Sequence, residues 1–150
     1  MDLTLGSHVR EHGHRAGRLV GFELEAATAR ITRIIFSRDG NLGPQALTRP
    51  LAALDATASG LEVRSDGAAV AAPADSDVVL LSRSTRITQR GSDRGRLLGI
   101  SVDPATHRLL SISGRHHWFS GKFTVETEAL DCSQPGEIRI VRESHDTQAA

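Results

Sequence analysis

The chain has 150 residues, the length of one ordinary domain or of two very small ones. Its 18 Lys and Arg residues balance 18 Asp and Glu residues, so a strongly basic nucleic-acid or membrane-surface binder is not the default. One cysteine and the absence of long apolar runs predict a cytosolic protein with no disulfide framework, multi-cysteine zinc site, signal peptide or membrane insertion.

The sequence repeats itself when it is shifted by 78 residues. Residues 12–30 (HGHRAGRLVGFELEAATAR) align without a gap with residues 90–108 (RGSDRGRLLGISVDPATHR). Both segments contain three glycines at four-residue intervals, a Gly-Arg-Leu sequence and an Ala-Thr turn. Such self-similarity predicts two copies of one structural unit. The predicted segments are a first repeat (1–64), a linker (65–77), a second repeat (78–143) and a tail (144–150).

Alternating apolar and polar residues predict short β-strands along both repeats. The predicted strands of the first repeat are 7–11, 17–25, 29–37, 45–50 and 61–64, with one helical turn at 50–56. Those of the second repeat are 84–89, 95–103, 107–114, 122–128 and 137–143. Five or six short strands in about 65 residues are typical of a small closed barrel. The predicted fold class is therefore all-β, with two tandem small β-barrels joined by a short linker.

Three histidines near the start of the chain form a candidate metal site. If one strand continued through them, His8, His12 and His14 would face the same side and could hold zinc or copper. Gly13 predicts a turn that ends the strand, and the second repeat has no histidine at the matching positions. We therefore expect exposed histidines, with no metal and no cofactor.

The segment GRHHWFSGK (114–122) carries the only tryptophan of the chain. A Trp-Phe pair bounded by glycines can anchor a protein interface, because buried aromatic residues dominate binding energies. The alternative is that Trp118 folds back over the barrel or the seam between the barrels. The predicted partner-binding residues are His116, His117, Trp118 and Phe119.

Four arginines lie within RITQRGSDRGR (86–96) and could contact RNA phosphates. These possible RNA contacts are Arg86, Arg90, Arg94 and Arg96. The segment has no interleaved aromatic residues on which bases could stack, and acidic residues elsewhere balance its charge. A solvated hairpin is the alternative, and nucleic acid is not the expected partner.

Nothing in the sequence indicates catalysis. Cys132 aligns with Leu54 of the first repeat and is expected to be a small buried residue. A cysteine nucleophile would need an orienting histidine, for which the sequence offers no indication. There is also no phosphate-binding loop, zinc-protease motif or dinucleotide fingerprint. The chain is therefore predicted not to be an enzyme.

The first repeat resembles the PRC-barrel family in its glycines and apolar positions. The matching residues are Leu5, Gly6 and Val9 in the opening strand, Gly13, Gly17 and Leu19 in the hairpin, and Pro50, Leu51 and Leu54 in the closing turn. The second repeat keeps Ile87, Gly91, Gly95 and Leu97. It departs from the pattern at Arg83-Ser84, in place of the opening Leu-Gly, and at Glu128-Ala129-Leu130, in place of the closing Pro-Leu.

This resemblance implies a non-enzymatic adaptor that binds a larger protein assembly. The family is similar in fold to the cytoplasmic part of the photosynthetic reaction-centre H subunit and to the C-terminal domain of a ribosome maturation factor. Two alternatives stay open: a ribosome- or RNA-associated factor, and a small barrel that binds a ligand or metal. The expected partner is a protein, and a homodimer is also compatible with the sequence.

Overall fold

A computed structural model describes residues 1–58, 60–64, 78–116 and 121–142. The first repeat contains strands β1 (Asp2–Thr4), β2 (His8–Glu11), β3 (His14–Glu25), β4 (Arg30–Ser37), β5 (Leu47–Pro50), β6 (Leu54–Thr57) and β7 (Gly60–Val63). The second contains β8 (Val78–Ser82), β9 (Arg86–Gln89), β10 (Ser92–Val102), β11 (Leu109–Arg115), β12 (Lys122–Glu126), β13 (Leu130–Asp131) and β14 (Glu137–Ile140). The all-β prediction is confirmed. None of the described segments is a helix with the length and apolarity needed to cross a membrane.

The ten predicted strands are all present, displaced by only a few residues at their ends. Four short strands, β1, β6, β8 and β13, were not predicted. The helical turn predicted after the fifth strand is a 3-10 turn at Leu51–Ala53, and the second repeat has its own at Thr127–Ala129.

The turn predicted at Gly13 is confirmed. His12 and Gly13 have φ values of 54° and 76°, and they join β2 to β3 as a two-residue hairpin turn. Arg90 and Gly91 repeat this geometry between β9 and β10, with φ values of 51° and 78°. Two consecutive residues with positive φ suit the right-handed twist of the flanking strands.

The strands form two seven-stranded sheets. One has the order β5-β4-β3-β2-β7-β6 with β8 paired to β3, and the other has the order β12-β11-β10-β9-β14-β13 with β1 paired to β10. The pairs β2–β7 and β9–β14 are parallel, and the other strand pairs are antiparallel. Within the described residues no hydrogen-bonded pair joins β5 to β6 or β12 to β13, so the closed barrels stay a prediction.

The first strand of each repeat pairs with the sheet of the other repeat. Leu3 of β1 lies opposite Ile100 of β10, and Leu81 of β8 lies opposite Phe22 of β3. These two pairs are equivalent under the 78-residue shift, so the exchange is reciprocal. Each sheet therefore contains one strand contributed by the other repeat.

The buried apolar side chains form one core that draws on both repeats. The turns after β3 and β10 also bond each other: the Ile31 N–H donates to the His107 carbonyl at 2.9 Å, and the Leu109 N–H donates to the Ala29 carbonyl at 2.7 Å. These two bonds are again equivalent under the shift, which indicates an approximate two-fold relation between the repeats.

The closing turn of the second repeat persists without its proline. Glu126 precedes it with φ −73° and ψ 149°, close to the −64° and 141° of Pro50 in the first repeat. After this turn Leu54 pairs with Val63 in the first repeat, and Leu130 occupies the equivalent position in the second. The predicted equivalence of Cys132 with Leu54 is wrong, because the offset between the repeats falls from 78 to 76 residues by this point.

Candidate functional site

One row of charged residues crosses the outer face of the second repeat's sheet. Strand register places Lys122, Arg115, Arg96 and Arg86 side by side on β12, β11, β10 and β9, followed by Glu137 on β14. Directly paired residues project to the same face of a sheet. The four cations, here called the cationic row, are all exposed. With strands about 4.8 Å apart, the row spans about 14 Å.

Strand alternation holds the cationic row outward. The next residue along each strand belongs to the opposite face and is buried: Phe123 on β12, Gly114 on β11, Leu97 on β10, Ile87 on β9 and Ile138 on β14. A shift of one residue in any strand would bury a cation and expose a core side chain. The position of the row therefore follows from the packing of the core.

Only part of the row is neutralised by neighbouring acids. Arg96 Nη1 lies 3.4 Å from a carboxylate oxygen of Asp93, and both side chains are about half exposed. Arg115 and Lys122 form no ion pair with another residue in the described part of the chain. The β11–β12 end of the row thus carries positive charge that no described acid compensates.

The acid at the other end of the row is held ionised. Thr88 Oγ1 donates a hydrogen bond of 2.6 Å to the Glu137 carboxylate, and this bond, with the charges of Arg139 and Arg86, lowers the pKa of Glu137. The Gly95 backbone N–H, with Arg96 and Arg86, likewise lowers the pKa of Asp93. Both carboxylates therefore stay ionised at neutral pH. Glu137 lies at one end of the cationic row, and Asp93 lies beside Arg96.

The first repeat provides an internal comparison. There the equivalent row reads Ser37, Arg18 and His8 on β4, β3 and β2, with one permanent cation. The same fold is therefore built without a run of cations at this place. Like charges directly opposite each other on neighbouring strands are destabilising. A cationic row that the fold does not require is a candidate binding surface for an anionic partner.

The structure separates the four arginines predicted to contact RNA. Arg86 and Arg96 belong to the cationic row, whereas Arg90 lies in the hairpin turn. Arg94 lies at a β-bulge, and its Cζ is 5.5 Å from the centre of the Phe123 ring, in the geometry of a cation–π contact. Sequence reasoning missed Arg115 and Lys122, because only strand pairing brings them beside the hairpin.

The predicted partner-binding segment adjoins the row. His116 is exposed at the end of β11, and His117, Trp118 and Phe119 lie outside the described residues. The two residues of the row that flank this segment in the chain are Arg115 and Lys122. The predicted anchor and two residues of the cationic row are thus close together along the chain.

The three N-terminal histidines do not share one strand. His12 occupies the hairpin turn, His14 lies opposite Glu11 at the start of β3, and His8 lies opposite Arg18. The buried Nδ1 atom of His8 has no hydrogen-bond partner among the residues that the structure describes. Within the described ranges, no group of three or more His, Cys, Asp or Glu side chains is arranged to hold a metal ion.

Cys132 packs against the core and is partly buried. Burial raises the pKa of its thiol to about 11, and the charge of Asp131 adds to this effect. The thiol is therefore protonated at neutral pH, whereas a cysteine nucleophile reacts as the thiolate.

No model of a known protein family matches the chain, and no curated protein matches it. The structure thus shows an all-β chain with an exposed row of cations on one face of a sheet. Membership of the PRC-barrel family rests on the sequence pattern alone and stays a prediction.

Proposed function

We propose that this chain is a non-enzymatic adaptor of PRC-barrel type that binds an acidic surface of a larger protein assembly. The observation that supports this proposal is the cationic row, which the equivalent sheet of the first repeat lacks. Guanidinium groups bind carboxylates through two parallel hydrogen bonds, which gives directional as well as electrostatic recognition. Charge complementarity of this kind sets partner choice and accelerates association.

Two features favour a protein partner over RNA. The chain has no net charge, whereas nucleic-acid-binding domains are usually basic overall. The segment 116–119, proposed as an aromatic anchor, joins the strands that carry Arg115 and Lys122. An apolar anchor beside a charged rim is the usual composition of a protein–protein interface.

The test is affinity purification of the tagged chain from its own host, followed by mass spectrometry. We expect one stoichiometric protein complex that is retained by the wild type and lost by the double variant Arg96→Glu/Arg115→Glu. The control Arg38→Glu/Arg142→Glu makes the same change in net charge at exposed positions outside the row and should retain the complex. A complex that survives charge reversal of the row, or an empty eluate from the wild type, would contradict the proposal.

Two further arms refine this test. Trp118→Ala should weaken the complex if the 116–119 segment supplies the anchor. Raising the salt concentration should also weaken it, because contacts between exposed charges are screened.

A second candidate is an RNA- or ribosome-associated factor. It is favoured by the three arginines of the row, which suit phosphates as well as carboxylates. Nuclease treatment before purification separates the two functions: a protein complex should survive it, whereas an association through RNA should be lost.

A further inference from the structure

Arg18 and Arg83, which are not part of the cationic row, line a cavity of about 370 Å³ where the two repeats meet. Arg18 comes from β3, whereas Arg83 follows the exchanged strand β8. The polar residues Ser82, Ser84 and Asn41 line the same cavity. Its volume lies within the range of small-molecule sites, and it contains no residue of the cationic row.

Each of these arginines lies against a glycine. A Cβ at Gly6 would collide with Arg83 Nη2, which donates a hydrogen bond of 3.2 Å to the Leu5 carbonyl. A Cβ at Gly40 would lie 3.8 Å from Cδ of Arg18. Gly6 thus leaves room for the Arg83 guanidinium at the cavity wall, whereas the Gly40 distance is an ordinary van der Waals contact. A guanidinium has five N–H donors, so Arg83 keeps others for a ligand.

Among the described residues, none that lines the cavity carries a carboxylate. The nearby Asp39 is occupied elsewhere: it accepts hydrogen bonds from the Ser37 hydroxyl and the Asn41 backbone N–H, and these bonds lower its pKa. Neither Arg18 nor Arg83 forms an ion pair with an acid in the described residues. Arg18 and Arg83 therefore line one half-open cavity with no paired acid among the described residues, which favours an anion.

The repeats again provide an internal comparison. The first repeat has Leu5 and Gly6 where the second has Arg83 and Ser84. Leu5 is 4% exposed and belongs to the core, whereas Arg83 is exposed. The fold can therefore fill this position with an apolar side chain. The arginine and serine found there instead add donors to the cavity and nothing to the packing of the core.

We propose that this cavity binds a small phosphate-bearing molecule, with Arg18 and Arg83 on the phosphate oxygens. Two guanidinium groups, one on β3 and one in the turn after β8, suit a tetrahedral dianion, because each can donate to two oxygens. Ser82, Ser84 and Asn41 would bond the remainder of the ligand. The cavity is larger than one phosphate, which leaves room for an attached polar group such as a sugar.

The minimal probe is inorganic phosphate, titrated into the full chain by isothermal calorimetry at constant ionic strength. We expect one site per chain and at least a tenfold loss of affinity in Arg18→Gln and in Arg83→Gln. Arg142→Gln removes an exposed cation elsewhere, and Arg96→Gln removes one from the cationic row, so both should bind phosphate as the wild type does.

Three results would overturn the proposal: no binding by the wild type, equal binding by all four variants, or a loss confined to Arg96→Gln. Thermal unfolding of each variant confirms that it is folded. Arg18→Gln carries the test alone if Arg83→Gln is destabilised. Because the cavity and the cationic row share no residue, the result of this phosphate titration is independent of the adaptor proposal.

Discussion

At the scale of single residues, two glycines are fixed by close backbone contacts. Gly17 and Gly95 are equivalent in the two repeats and have φ values of 151° and 135°. A Cβ at Gly17 would collide with the Ser37 carbonyl, and one at Gly95 would collide with the Arg115 carbonyl. These glycines lie where β3 and β10 bulge, and they allow the neighbouring strand to approach.

We expect Gly95→Ala to lower the free energy of unfolding by at least about 2 kcal/mol, because it adds backbone strain and a steric collision. The control is Gly43→Ala, where φ is not positive and no atom of the described residues, its chain neighbours apart, lies within 4 Å of the added Cβ. That control should change stability by less than about 0.5 kcal/mol. Urea denaturation of both variants measures the difference. Equal stability of the two variants would contradict the close approach of the Arg115 carbonyl to Gly95.

A second prediction at the residue scale is that the Thr88 hydroxyl lowers the pKa of Glu137. Because the folded pKa of Glu137 is lowered, its contribution to stability is present above about pH 4.5 and is lost as the pH falls through the folded value. In Thr88→Val we expect this pKa to rise towards its ordinary value, since the largest cause of the shift is removed. Carboxyl NMR titration measures the change, with Asp103 as an internal control; an unchanged Glu137 pKa would exclude the assigned cause.

At the scale of elements, the exchanged strands are the feature that sequence patterns missed. β1 has only three residues, too few for alternation to be distinctive. Its partner β10 lies almost 100 residues further along the chain. Gly99 makes the contact possible, because a Cβ there would lie 2.6 Å from the Leu3 carbonyl. The residues were visible in the sequence, but their pairing depended on how the repeats pack.

We expect Leu3→Ala to cost about 2–5 kcal/mol, since Leu3 is 1% exposed and its truncation leaves a cavity. Hydrogen exchange should then accelerate in β10 and β11, which belong to the second repeat. Leu80→Ala in the other exchanged strand is the control: its side chain is 45% exposed, so the change should cost less than about 1 kcal/mol. Faster exchange confined to β2, β3 and β4 would contradict the exchanged pairing.

At the scale of the whole molecule, the reciprocal exchange makes the two repeats depend on each other. Each sheet contains a strand from the other repeat, and the buried side chains form one core. A repeat of about 65 residues also buries only about 60% of its unfolded surface by itself. Together these features predict that the repeats fold and unfold as one unit.

We therefore expect the chain to remain one particle after the predicted linker (65–77) is cut. A protease site is inserted between residues 65 and 77 and then cleaved. The products are analysed by size-exclusion chromatography. The halves should elute together in native buffer and separate in denaturant, because β1 and β8 hold them in each other's sheets. The uncleaved variant is the control, and separate elution of folded halves would show that the repeats are independent.

The sequence by itself determined ten of the described strands, the repeat and the hairpin turns, because these depend on local alternation and on residues such as Gly13 and Gly91 that tolerate positive φ. It also indicated that the segment 86–96, which contains four arginines, is charged. Only the tertiary structure decided that β1 and β8 cross between the repeats and that Arg115 and Lys122 complete the cationic row. Both outcomes depend on which strands become neighbours in space, and that choice is made by burial of the shared core rather than by any local pattern.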